Sequence, residues 1–199
     1  MALLMMLWPK PYRLRVSPLR ILTAIVLMAA VFAEIVPASA QHFSSEENRV
    51  KASFLFNFAK FITWPATAGA TRSKLLFCIV GNPEVSAILK SQAEGQSIGG
   101  RQIVIAEVNP NDSLPQLENC QMIYIGERAK NTDQVLDKVK RLPIVTVGED
   151  IHFLQHGGII NLMHEDGRFK FQISLKAATQ SGLSISSKLL QLARDVIQS

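Results

Sequence analysis

The chain has 199 residues, with 21 lysines and arginines against 16 acids, a formal net charge of +5. Lys10, Arg13, Arg15 and Arg20 and the acid Glu34 fall in the first forty positions, so residues 41–199 keep 17 basic against 15 acidic groups. That near-neutral remainder has no basic stripe or arginine-rich helix, which argues against nucleic acid as a partner.

In chain order, the basic positions come first, then the apolar run ILTAIVLMAAVFAEIV, then Ala38-Ser39-Ala40. This order predicts a secretory signal peptide over residues 1–40, with cleavage before Gln41. A permanent membrane anchor is the competing reading, but the run is short for a span and Glu34 lies near its end. No cysteine near the cleavage site could carry a lipid. Residues 41–199 have the length of one domain with a single core.

The motif SSEEN predicts a helix start, with Ser44 as N-cap and Glu47 three residues on as a capping box. Acids in the first turn suit the helix dipole. Val50, Phe54, Phe58 and Phe61, beside Leu55, Ala59 and Ile62, recur at helical spacing and predict a buried stripe. Lys51, Asn57 and Lys60 are assigned to the other side. Pro65 ends the helix and biases Trp64 toward extended backbone. Phe56 and Trp64 fit the stripe least, so both are expected to be accessible and to serve a binding surface. A Trp64 that merely covers one end of the sheet is the bland reading.

Alternation follows. LLFCIV (75–80), QIVIAEV (102–108), QMIYIG (121–126) and PIVTVGE (143–149) read as strands, with helical pieces at GNPEVSAILKSQ, SLPQLEN and NTDQVLDKVKR. Apolar strands alternating with amphipathic helices predict a mostly parallel sheet covered on both faces, a Rossmann-like three-layer α/β fold. Two strand-like runs around Asp166-Gly167 predict a β-hairpin. A final helix over ISSKLLQLARDVIQ would bury Ile185, Leu189, Leu192 and Val196 on one face. The two cysteines, Cys78 and Cys120, sit in or beside strands. Export makes a structural disulfide the default, and a redox pair is the alternative, although C-x-x-C is absent.

Chemistry is harder to find. VGNPEV follows a strand and opens a helix, but one glycine does not make a phosphate loop. His152 and His156 are four apart with His164 further on. A zinc centre needs more converging ligands, and both cysteines are assigned to each other, so no metal is expected. There is no G-x-S-x-G, and SISSK lacks the hydroxyl that S-x-x-K requires, because Ile185 stands three before Lys188. No carboxylate pair suggests acid and base. Neither a catalytic role nor a cofactor is expected.

Several segments together resemble one family. KASFLFNFAKFITWP, LLFCIVG, NCQMIYIG, PIVTVGEDIHFLQHGGIINL and RFKFQISLKAATQSGLSISSKLLQLARDV are similar to the YfiR-like family of periplasmic regulatory proteins, over nearly all of residues 46–196. The resemblance implies an exported, non-enzymatic repressor. Its partner would be the periplasmic domain of an inner-membrane diguanylate cyclase, or next a sensor kinase. An outer-membrane-linked protein would sequester it and release cyclic di-GMP synthesis and biofilm formation. A homodimer is open to it. Some members carry a second cysteine pair that this chain lacks, so redox control by such a pair does not transfer. The resemblance also places GLSISSK beside the strand holding Phe171 and Gln172. That makes Gln172, Ser184, Ser186, Ser187 and Lys188 further binding candidates, against a plain helix cap and surface lysine. A small-molecule sensor module is the alternative function, because strand ends of a parallel sheet commonly form ligand clefts.

Overall fold

A computed structural model of the chain describes residues 38–66, 73–108 and 114–198, with side chains from residue 45 onward except 114–116. Residues 1–37 of the expected signal peptide lie outside the described residues. The chain divides into two compact units, Met1–Gln41 and His42–Ser199. The elements below belong to the second, apart from the first turn of the first helix.

Helix α1 (Ala38–Phe58) runs into a 3-10 turn (Ala59–Phe61) and strand β1 (Ile62–Thr63). Then come β2 (Lys74–Val80), α2 (Pro83–Ala93), β3 (Ser97–Ile98), β4 (Arg101–Val108), a second 3-10 turn (Leu114–Asn119) and β5 (Met122–Ile125). The chain continues through α3 (Thr132–Val139), β6 (Val145–Gly148), β7 (Ile160–Glu165), β8 (Arg168–Ser174) and α4 (Leu175–Gln180). It closes with β9 (Ser184–Ile185), α5 (Ser187–Leu192) and β10 (Asp195–Ile197).

Eight strands make one sheet in the order β10-β8-β7-β6-β5-β2-β4-β3, and β1 pairs with β9 in a separate ribbon. The pairings β2–β4, β2–β5, β5–β6, β6–β7 and β8–β10 are parallel, while β3–β4 and β7–β8 are antiparallel. The expected α/β class and mostly parallel sheet are therefore present. The reason is visible in the strands, whose successive side chains face opposite sides and are apolar on both. Leu75, Phe77, Ile79, Met122, Tyr124, Val145 and Val147 face one core with α1 and α2. Cys78, Val80, Ile123 and Ile125 face a second core under α3 and Leu117. The hairpin turn has Asp166 and Gly167 at φ of 52° and 72°. Two consecutive left-handed residues match the twist of a tight hairpin.

Three expectations change. Helix α1 passes straight through Ser44, so the capping box does not mark its start. The aromatic stripe is only partly buried: Phe58 is 1% exposed, whereas Phe54 and Phe61 are half-buried against the same core. Phe61 already lies in the 3-10 turn, where helical spacing no longer applies. The long final helix is instead the short α5 followed by β10. Ile185 and Leu189 are buried as expected, but Leu192 is 68% exposed and Val196 is a strand residue paired with Ile173. The helix stops because Ala193 turns to extended backbone, and the Arg194 N–H then donates to the Phe171 carbonyl at 2.8 Å. An otherwise open edge of β8 thereby satisfies its hydrogen-bonding groups.

Cys78 and Cys120 form a disulfide with Cα atoms 6.0 Å apart, closing a sequence separation of 42 residues. It joins the middle of β2 to the segment entering β5 beneath the second core. Replacing both cysteines by Ala should lower unfolding stability by about 2–5 kcal/mol, read from denaturant melts. Phe58 makes edge contacts with Phe171 at 4.9 Å and a tilted contact with Phe54 at 5.6 Å. Phe58→Ala should cost about 3–5 kcal/mol in the same melts.

Candidate functional site

The connection after β2 runs outward to β4, whereas the one after β5 runs the other way to β6. Strand order therefore reverses between β2 and β5, and the crevice beyond their carboxyl ends is where open α/β sheets place ligands. Two tight loops frame it. Gly81 has φ of 74°, and a Cβ there would come within 2.7 Å of the Ala129 nitrogen. Asn82 caps α2 by accepting from the Val85 N–H at 3.0 Å, and its Nδ2 donates to Asn48 Oδ1 of α1 at 3.3 Å.

Helix α1 crosses this end of the sheet and places Lys51 in it. The Lys51 side chain is only 4% exposed, and its ammonium lies 2.7 Å from both Glu47 Oε1 and Glu149 Oε2. Glu127 Oε1 is 3.9 Å away. Oxygens of Glu47, Glu127 and Glu149 lie within 4.8 Å of one another, close enough to share a metal ion. Here the three carboxylates converge on Lys51, which already supplies a cation. Tyr124, fully buried in β5, donates its hydroxyl to the other oxygen of Glu149 in a short hydrogen bond.

Burial opposes the charge on Lys51, yet its hydrogen bonds to Glu149 and Glu47 prevail and hold its pKa above the usual lysine value. For Glu149 burial wins, and its pKa lies above the usual carboxylate value despite the Lys51 and Tyr124 bonds that pull it down. Burial, reinforced by the Glu149 charge, also raises Tyr124, which stays a neutral donor. This arrangement ties α1 to the ends of β5 and β6 through one buried ion pair.

Beyond Glu149 the chain forms a tight turn over residues 151–157. Phe153 anchors it, 1% exposed. Its ring lies so close over Gly148 and Gly158 that a Cβ at either would stand 2.3 or 2.2 Å from a ring carbon. Only glycine fits those two positions. Phe153 also lines two adjoining cavities. One, of ≈ 300 Å³, is bounded by Ile125, Gly126, Glu127, Glu149 and the 82%-exposed Ile151. The other, of ≈ 350 Å³, is bounded by Asn131, Asp133, Asp150, His152 and His156.

The YfiR/HmsC-like family model matches residues 48–194, a span that includes Lys51, Glu149, Phe153 and both cysteines. The chain belongs to the YfiR/HmsC-like family. Among solved structures it is similar to a conserved domain protein from Vibrio cholerae O1 biovar El Tor, at 16% identity and TM-score 0.45, covering 61% of this chain and 54% of that one. It is also similar to an ABC domain in complex with L-Trp from Streptococcus pneumoniae, at 13% identity and TM-score 0.46, covering 62% and 55%. The chain thus spans little more than half the length of those structures. No curated protein matches it.

In this YfiR/HmsC-like chain the expected binding residues do not form one constellation. Trp64 is 7% exposed, and its Nε1 donates to the Gln121 carbonyl at 3.0 Å. The expectation that it is accessible is therefore corrected. Once the chain enters β1 the period becomes two, so Ile62 and Trp64 turn inward and Thr63 outward. Phe56 is half-buried, with the Lys60 ammonium 4.3 Å above its ring. Ser184 is exposed in β9, opposite Thr63. Ser186 caps α5, its Oγ accepting from the Lys188 N–H at 3.3 Å, and Ser187 and Lys188 are exposed. The strand partner of GLSISSK is thus β1, while it is Asp195 that pairs with Gln172, whose Nε2 donates to the Asp195 carboxylate at 2.9 Å.

Sequence reasoning missed Lys51, Tyr124 and Glu149. A signal for Lys51 was present: it stands four before Leu55 and seven before Phe58, in line with the buried stripe. Glu149→Ala should destabilise by about 3–5 kcal/mol, because the buried ammonium loses its best partner. Lys51→Met combined with Glu149→Leu should cost clearly less than that single change. Lys51→Met alone removes the group that opposes burial, so the Glu149 pKa should rise further. Carboxyl-carbon NMR titration reads this directly. With its folded pKa already raised, the Glu149 contribution is fully present at low pH and is lost as pH rises through that folded value.

Proposed function

We propose that this protein is an exported, non-enzymatic regulator that binds and represses a membrane-bound signalling protein, most readily a diguanylate cyclase. Membership of the YfiR/HmsC-like family over residues 48–194 carries this reading. A signal peptide over residues 1–40 would deliver the chain to the periplasm, where the cysteine pair forms readily. Among the described residues no helix is long and apolar enough to cross a membrane. Sequestration by an outer-membrane-linked protein would release the enzyme. A sensor kinase is the next partner to test.

For the contact surface we favour Ser184, Ser187 and Lys188, which stand exposed where β9 meets α5, with the half-buried Ser186 between them. Trp64 drops out because it is buried. Affinity capture from solubilised membranes should recover an integral protein with a cyclase or kinase domain, and repeated recovery of neither counts against the reading. Ser186→Trp should raise cellular cyclic di-GMP while the protein keeps its circular dichroism. Unchanged cyclic di-GMP with folded Trp variant present would reduce Ser186 to a helix cap.

The ≈ 300 Å³ cavity at the carboxyl ends of β5 and β6 favours a second reading, a small-molecule sensor whose ligand tunes the partner. A metabolite that raises the melting temperature of the wild type, but not of a folded Thr132→Phe variant whose ring narrows the cavity that Thr132 lines, supports it.

A further inference from the structure

The turn over residues 151–157 holds two histidines whose ring nitrogens are not used alike. The His156 N–H donates to the His152 carbonyl at 3.0 Å, a helical turn that sends both side chains to one side. Their rings stack with centroids 6.2 Å apart and planes 25° from parallel. His156 Nδ1 lies 2.6 Å from the Asp133 carboxylate, and His152 Nδ1 lies 3.2 Å from Gln155 Oε1. Both partners are acceptors, so in each neutral ring Nδ1 carries the proton and Nε2 keeps its lone pair. A carboxylate or carbonyl on one nitrogen that orients the other toward an ion is the arrangement around metal-bound histidines. The i, i+4 spacing is also the one by which a helical turn presents two imidazoles to zinc.

Asp150 lines the same ≈ 350 Å³ cavity and accepts from the His152 N–H at 2.7 Å, which leaves its carboxylate beside the pair. Both histidines and their partners Asp133 and Gln155 are exposed, so each ring can turn together with its partner and bring the two Nε2 atoms to one ion. Imidazole ligands with an oxygen donor favour late first-row divalent cations over magnesium or calcium.

We propose that His152 and His156, oriented by Gln155 and Asp133 and supplemented by Asp150, form a surface binding site for a late first-row divalent cation such as zinc. The site is independent of which signalling protein the chain regulates. It is separate from the three glutamates, whose point of convergence Lys51 occupies.

Isothermal titration of the untagged protein with zinc chloride tests the site. The expected result is saturable binding of one ion, absent with magnesium chloride. His152→Ala and His156→Ala should each weaken it at least about tenfold, and Asp133→Asn about tenfold or more through loss of orientation. These side chains are exposed, so the variants should retain the wild-type circular dichroism, which is checked alongside. Absence of saturable zinc binding by the wild type overturns the proposal. So does binding that survives the double histidine variant, or binding lost in Glu127→Gln while both histidines remain.

Discussion

An ammonium withdrawn from water needs negative charge close by, and at Lys51 that requirement organises one end of the molecule. Glu149 and Glu47 meet it at 2.7 Å, one from the end of β6 and one from the preceding turn of α1 itself. Tyr124 then takes the remaining oxygen of Glu149. The helix is thus held over the reversal point of the sheet by a polar contact that tolerates no sliding. Apolar packing of Leu55 and Phe58 alone would accept small shifts along the helix axis; an ion pair with two hydrogen bonds has one register.

The same strand ends are fixed from the other face by Phe153. Its ring covers two glycines, one ending β6 and one preceding β7, so the turn between these parallel strands is clamped at its root. The result is a rigid base beneath an exposed crown containing Ile151, His152 and His156. Rigid scaffold below and accessible side chains above is the arrangement in which loops acquire binding roles. The crown lies on the edge that α1 and Glu149 stabilise, so a ligand or cation held there would act close to the buried pair.

At the far edge of the sheet, order is extended by the C-terminal segment. Arg194 is bonded to Glu165 and Asp195, and Glu165 also receives Lys170. Its two cations hold the Glu165 carboxyl below the usual range, and Gln172 with Arg194 does the same for Asp195. These groups are exposed or half-buried at the surface, so their part is to set the register of β10 against β8 more than to add stability. The free side of β10 and the exposed Leu192 remain at the surface.

The strands β2, β4, β5 and β6, the helices α2 and α3 and the β7–β8 hairpin were legible from local pattern, because apolar runs, an Asn-Pro helix start and Asp-Gly each dictate backbone geometry over a few residues. The same is true of the disulfide, given an oxidising compartment and only two cysteines. Three features were not. Lys51 reads as a solvated helix residue until Glu149, nearly a hundred positions away, is brought beside it by the order of the parallel strands. Trp64 reads as an exposed aromatic until the helix gives way to a strand and the period changes from 3.6 to two. ARDVIQ carries a helical pattern that loses to the unpaired edge of β8. In each case sequence sets what a segment can do alone, whereas burial of a charge and pairing of a strand edge depend on partners distant in the chain, and those only the tertiary structure supplies.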